Sequence, residues 1–202
     1  EIISEADDKS QRDKLVNILS HDVERIERLI TDYSQMLKDE VAISKEQMKK
    51  VDLKEIAQSV VDDFNNIYFQ KRGIKITLEL DNKFKKFEIF GIENRIEQVL
   101  ANLLENSISF SENNKKIIVK LSKNENKNVT LDVIDEGIGF KEKDTNKIFD
   151  RFYSNRPEKF GEHSGLGLNI VKNLINLHGG KIIAGNNLDK KGAKIEIIFP
   201  NV

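Results

Sequence analysis

Along residues 12–38, apolar residues fall in heptad columns: Leu15, Leu29 and Met36; Val16, Val23, Ile30 and Leu37; Leu19, Ile26 and Tyr33. Two adjacent columns with a third beside them make a stripe that suits a bundle helix and that a lone helix cannot bury. Asp22 interrupts the first column. Residues 38–50, KDEVAISKEQMKK, are polar and read as a helix end plus linker. Helical periodicity resumes in VDLKEIAQSVVDDF at 51–64. The chain therefore divides near residue 51, into a helical segment (1–50) and a compact domain (51–202).

Within the compact domain the period changes repeatedly. IKITLEL at 74–80 alternates, with Ile74, Ile76, Leu78 and Leu80 on one face, and predicts a strand. Residues 84–90 read as its hairpin partner. The stretch 92–110 is helical, with Ile96, Leu100, Leu103 and Leu104 forming its apolar face. Strands are expected at 117–121 and 129–135, flanking the turn-forming loop SKNENKN. A short helix at about 142–151 follows, then a loop to 164. A further helix runs to His178, where Gly179 and Gly180 cap it. KIIAG and AKIEIIFP supply two last strands, and no internal repeat is present. This order predicts an α+β fold, a two-layer α/β sandwich.

Composition narrows the reading. The 202 residues, 38% hydrophobic and 33% charged, can hold one well-buried domain plus an appendage. Lys+Arg 33 against Asp+Glu 34 gives a net charge of −1, which removes the electrostatic case for nucleic acid. Without cysteine there are no disulfides and no thiolate metal sites, as suits a reducing compartment. Nothing approaches the run of about 18 apolar residues that spans a membrane, and no signal peptide is present. Glu1 opens the chain without an initiator Met, as expected of a piece of a longer protein.

The candidate chemistry lies between 97 and 168. Asp135 ends a strand and is followed at once by Gly137 and Gly139. An aromatic-basic cluster comes next, Phe149, Arg151, Phe152 and Tyr153, and then Gly165 and Gly167 open an apolar helix. Glycine lets backbone approach a purine or phosphate closely, and a helix start offers unpaired N–H groups to anions. Each glycine pair alone is equally a tight turn or a close helix contact. A third element upstream, EQVLANLLENSISFS, places Gln98, Asn102 and Asn106 on one helical face beside Arg95 and Ser109. A solvated face usually holds Lys and Glu, whereas stacked carboxamides are mediocre helix formers. Their carbonyl oxygens suit Mg²⁺, which takes few protein ligands and keeps phosphate oxygens and waters.

In this order the motifs resemble the N-box, G1, F-box and G2 elements of bacterial sensor histidine kinases, within the GHKL ATPase superfamily. The resemblance covers about 51–202, with a further match at 12–37. HDVERIERLI and YSNRPE…SGLGL are most similar to the ChvG-like subgroup. The resemblance implies a Bergerat ATP-binding fold, with ATP and Mg²⁺ as ligands. Asp135 would accept from the adenine amino group, with Gly137 and Gly139 passing under the base. Asn106 would be the main Mg²⁺ ligand, with Asn102 one turn earlier beside metal or phosphate. Arg151 would meet phosphate charge, a task that suits a guanidinium fork, with Tyr153 also beside nucleotide. Phe149 and Phe152 would anchor their loop in apolar packing. Residues 154–164 would form a lid over the nucleotide. Ser164, Gly165, Leu166, Gly167 and Leu168 would offer backbone N–H groups to the polyphosphate.

The resemblance further implies transfer of the γ-phosphoryl to a histidine and relay to an Asp of a response-regulator receiver domain. It also implies a homodimer through 12–37, in a cytoplasmic part of an inner-membrane sensor, with no membrane contact by this chain. Two positions depart from the family pattern: His163 stands where a glycine is usual, and Ser109 where the N-box carries Lys. His21 is followed by an acid, as a phosphoacceptor is, yet Ile26 stands where the H-box has Pro. VDL at 51–53 leaves no room for a second bundle helix after His21. HDVERIERLI thus resembles the second dimerisation helix of a hairpin lacking its H-box, and the acceptor is expected upstream. His178 reads as a helix-end packing residue. Two rivals are a GHKL ATPase that hydrolyses ATP and a nucleotide-binding interaction module without phosphotransfer. The first would carry a glutamate base where Asn102 stands; the second is opposed by Asn106, Asp135 and both glycine pairs.

Overall fold

The computed structural model describes residues 12–20, 46–141, 144–153, 165–187 and 190–202, with 22, 23, 26, 27, 30, 31, 33 and 34. The described residues between 12 and 34 are helical, and Val16, Leu19, Val23, Ile26, Ile30 and Tyr33 of the stripe are exposed in the single chain. His21, much of the linker, residues 154–164 and thus His163 and Ser164 lie outside the described residues. None of the described helices is long and apolar enough to cross a membrane.

The remaining elements are β1 (Lys49–Asp52), α1 (Leu53–Arg72), β2 (Lys75–Leu80), β3 (Glu88–Gly91), α2 (Glu93–Phe110), β4 (Lys116–Lys123), β5 (Val129–Asp135), a 3₁₀ turn (Thr145–Phe149), α3 (Gly167–Leu177), β6 (Lys181–Asn186) and β7 (Ala193–Phe199). Helical structure begins two residues later than the periodicity at 51 suggests. Val51 and Asp52 belong to β1, and the Asp52 carboxylate caps α1 by accepting from Lys54 N at 3.1 Å. The same oxygen accepts from Phe87 N at 3.2 Å, so the cap also ties α1 to the approach of β3. Gly73, with φ 65°, ends α1 in the left-handed conformation that a side chain resists.

The expected hairpin of 74–80 with 84–90 does not form. β3 pairs antiparallel with β1, Val51 opposite Ile89, as a separate two-stranded sheet. β2 instead pairs in parallel with β4, Ile76 opposite Ile117. A parallel pair needs a long crossover, and α2 supplies it. The main sheet has order β2-β4-β5-β7-β6, antiparallel except at β2-β4. Its inner face carries Ile117, Val119, Leu121, Leu131, Val133, Ile195 and Ile197, all buried under the helices. Outer-face rows are charged: Lys120 lies opposite Asp132, and Asp132 opposite Glu196. Lys194 pairs with Asp132 at 3.1 Å and with Glu196 at 2.9 Å. The fold is a two-layer α/β sandwich, as the order of elements predicts.

The predicted helix at 142–151 shortens to the 3₁₀ turn, capped by the Asp144 side chain on Asn146 N at 3.1 Å. Phe149 anchors it, 2% exposed. Phe152 departs from the expected packing. Its φ of 61° turns the chain sharply, and the ring is 54% exposed. His178 packs at the end of α3, 4% exposed, as its position after the helix predicts.

Candidate nucleotide site

Helix α2 presents its two faces as the sequence indicates. Ile96, Leu100, Leu103 and Leu104 are buried, while Gln98, Asn102 and Asn106 are half-buried on the other side. Asn106 Nδ2 donates to the Asn102 carbonyl at 3.0 Å. That bond commits one N–H of the Asn106 amide to the helix. Arg95 extends the polar row toward the linker: Nη1 donates to Gln98 Oε1 at 3.1 Å, and Nη2 meets Glu46 Oε1 at 2.9 Å.

The start of α3 lies directly against this row. A Cβ placed on Gly167 would stand 3.4 Å from Asn102 Oδ1 and 3.6 Å from Asn106 Nδ2. Leu166 at the N-cap has no side chain that can cap α3, and a helix start of this kind offers N–H groups to an anion. Leu166 is fully buried and Leu168 packs on the core, which fixes the direction of those amides. Gly165 has φ 70°, and a Cβ there would fall 2.9 Å from the Phe152 carbonyl carbon and the Tyr153 oxygen. The aromatic-basic turn is thus pressed onto the second glycine pair, bringing Tyr153 beside it and leaving Arg151 exposed on that turn. Asn169 reinforces the contact by donating to the Phe149 carbonyl at 2.9 Å.

At the other end of the site, Asp135 is 5% exposed. Its Oδ1 accepts from Gly137 N at 2.8 Å and from Ala193 N at 2.9 Å. Burial pushes the carboxyl above the usual carboxylate range; the amides of Ala193 and Gly137 and the Ser107 hydroxyl oppose that rise. Gly137 lies close under the end of α2, where a Cβ would be 2.7 Å from the Phe110 carbonyl oxygen. Gly139 is held by Asn186, whose Oδ1 accepts from Phe140 N at 2.6 Å and whose Nδ2 donates to the Phe140 carbonyl at 3.0 Å.

Sequence reasoning missed four contributors. Ser107 and Ala193 bond the Asp135 carboxylate, Asn186 fixes the Gly139 turn, and Gly192 permits the close approach of β7. A Cβ on Gly192 would collide with the Asp135 carbonyl oxygen, at a φ of 147° that L side chains rarely adopt. Only Gly192 carried a signal, as a glycine just before a predicted strand. The donor set is a buried carboxylate at one end and, at the other, two carboxamides beside a helix start. Among the described residues no cluster of His, Cys, Asp or Glu offers an all-protein metal cage. Paired carboxamides fit a cation that arrives with its phosphate oxygens.

Comparison with known proteins supplies the family. Sensor protein ChvG of Rhizobium meliloti (strain 1021) is 34% identical over 193 residues, covering 93% of this chain and 33% of that protein. The chain thus spans about a third of the length of such curated relatives. Histidine kinase ThkA, solved in complex with response regulator protein TrrA, superposes with a TM-score of 0.67 at 26% identity, covering 98% of this chain and 53% of that one. Full-length ShkA in complex with AMPPNP gives 0.65 at 25% identity, covering 77% and 31%. Residues 91–202 match the family described as histidine kinase-, DNA gyrase B-, and HSP90-like ATPase, and the chain belongs to that family.

Proposed function

We propose that this chain binds Mg-ATP and transfers its γ-phosphoryl group to a histidine, for relay to an Asp of a response-regulator receiver domain. The observation that carries the reading is the seat of Gly167 against Asn102 and Asn106, which turns an uncapped helix start and two carboxamides toward one space. The relatives support it: ShkA was solved with AMPPNP, and ThkA with a response regulator.

Asp135 accepts from the adenine amino group, a hydrogen bond that guanine, with an oxygen there, cannot make. Asn106, seconded by Asn102, holds Mg²⁺, which supplies neutralisation of the phosphate charge. The amides of Gly165, Leu166, Gly167 and Leu168 meet the polyphosphate, joined by Ser164, and Arg151 and Tyr153 approach from the facing turn. As the imidazole nitrogen bonds to phosphorus, the bond to the bridging oxygen breaks and ADP leaves. The work of these residues is positioning and electrostatic stabilisation.

Residues 51–202 form the catalytic domain in this reading, and 1–50 part of a dimerisation segment pairing two copies through 12–37. The parent is a membrane-anchored sensor whose cytoplasmic part includes this chain. In this reading the phosphoacceptor is a histidine other than His21.

Two measurements test this directly. Mg-ATP at a hundredfold excess over its dissociation constant is expected to stabilise the fold by about 2.7 kcal/mol; a melting curve indifferent to Mg-ATP would refute nucleotide binding. Incubated alone with labelled ATP, the chain is expected to gain no acid-labile phosphohistidine. Stoichiometric labelling that disappears in His21→Gln would make His21 the acceptor.

A further inference from the structure

Helices α2 and α3 wall the candidate site, run antiparallel, and meet at both ends. At the ligand end Gly167 abuts Asn102 and Asn106. At the far end His178, just past α3, reaches the residue that opens α2: Ile92 N donates to His178 Nε2 at 3.0 Å. The other ring nitrogen, Nδ1, lies 2.6 Å from the Leu174 carbonyl. An amide can only donate and a carbonyl can only accept, so the ring is neutral, with its proton on Nδ1. Ile92 has no side-chain cap of its own and is 6% exposed. Without Nε2 its amide would be a buried donor with nothing to bond, which costs about 1–3 kcal/mol. β3 leaves room for the ring only because residue 91 is glycine: a Cβ there would stand 2.9 Å from His178 Cδ2.

We propose that His178 is a positioning residue for nucleotide. Through Ile92 it fixes how far α3 is slid along α2, and with it the separation of the α3 amides from the carboxamides of Asn102 and Asn106. This rests on the nucleotide reading above. Helices packed by apolar side chains alone can shift, and a displacement of about 1 Å at a reacting group can cost a hundredfold in function. A directed bond between two buried ends removes that freedom.

The tether is also sensitive to acid. A second ring proton would place Nε2–H against the Ile92 N–H, donor facing donor. Burial holds the His178 ring below the ordinary histidine range, partly opposed by the Leu174 carbonyl. The folded pKa being depressed, the contribution of His178 to stability is full above the ordinary histidine pKa. It is lost as pH falls toward the folded value. Charged side chains on the surrounding elements are engaged elsewhere or exposed: Glu93 pairs with Lys49, Arg95 with Glu46, Glu88 with Lys50 and Lys86, and Lys181 is exposed.

The test compares Mg-ATP affinity of the wild type, His178→Gln and His178→Asn, from neutral pH down through the histidine range, with thermal melts alongside. Gln carries an acceptor long enough to reach Ile92, whereas Asn reaches only the Leu174 carbonyl. The Gln variant is expected to bind near wild-type strength and to lose the part of the acid decline that follows the His178 titration. The Asn variant is expected to bind about tenfold more weakly while still melting cooperatively. In the free protein the Gly167 amide resonance should titrate together with the His178 ring, and cease to do so in the Gln variant. Gly91→Ala, which pushes on the ring, should weaken binding with His178 still present. Gln and Asn variants that both bind like wild type, or a Gly167 resonance that ignores the His178 titration, would overturn the tether. Wild-type protein that titrates as described yet ignores Mg-ATP would overturn the nucleotide reading and, with it, a role for His178 in that binding.

Discussion

Asp135→Asn weakens adenine-nucleotide binding at least tenfold and leaves the fold at least as stable as the wild type. The backbone amides of Gly137 and Ala193 both donate to Oδ1 and would hold the Asn side-chain oxygen in the same place. Its Nδ2 group then faces the adenine amino group, donor against donor, where the carboxylate had accepted. A hydrogen bond to a charged group is worth about 1.5–3 kcal/mol, so the loss is at least tenfold and on the order of a hundredfold. Stability moves the other way. Burial raises the carboxyl in the folded state, so between the unfolded and folded pKa values the folded chain holds more proton than the unfolded one. The contribution of Asp135 to stability is therefore greatest in acid and lost as pH rises through the folded pKa. Above the folded pKa the wild type carries a buried charge that Asn does not. Titration calorimetry beside a melting curve separates binding from folding. An Asn variant that binds Mg-ATP like the wild type would remove Asp135 from the adenine contact.

The parts of the site legible in the sequence were those made by short stretches of chain. Asp135 and the glycines after it are read from a strand end and its turn; Gln98, Asn102 and Asn106 are read from the helical period. What holds them comes from far away. The amide of Ala193 that bonds Asp135 is 58 residues distant, and Asn186 is 46 residues from the Phe140 backbone it holds. Neither residue type differs from what a strand edge or loop would carry by chance. His178 could be placed at a helix end, but its bond to Ile92 spans 86 residues and leaves no periodic trace.

The fold shows the same division. Strands β4, β5, β6 and β7 follow from runs of β-branched residues bounded by turns, and their burial pattern follows from the alternation. Choosing partners is a non-local matter. Alternation in 74–80 and 84–90 was compatible with a hairpin, yet β3 is only four residues long and finds a better edge in β1. β1 itself begins with Lys49 and Lys50, both exposed, and carries only Val51 as an apolar signal. Its extended form is imposed by pairing with β3 and by the Asp52 carboxylate, which serves Lys54 and Phe87 together. Phe152 departs from expectation for a related reason: its own backbone bend, at φ 61°, turns the aromatic out where residues 152–153 press on the distant Gly165.

Asn106→Ala separates metal from base. Alanine is the best helix former, so α2 persists, and the bond lost is a side-chain one to the Asn102 carbonyl, which lies within the helix. Asp135 is met on α2 by the Ser107 hydroxyl, which Asn106→Ala leaves in place, so ATP measured with a chelator should bind the variant as it binds the wild type. Added Mg²⁺ is then expected to tighten wild-type binding and to do little for the variant. Residues that merely orient a metal ligand cost about ten- to hundredfold when removed; removal of the ligand itself should cost at least that much in Mg-ATP affinity. The same variant should show a correspondingly smaller rise in melting temperature with Mg-ATP, because stabilisation follows the ratio of ligand to dissociation constant. If Mg²⁺ tightened both proteins equally, the metal would be held by phosphate and water alone, and the carboxamide row would be left with the polyphosphate as its only partner.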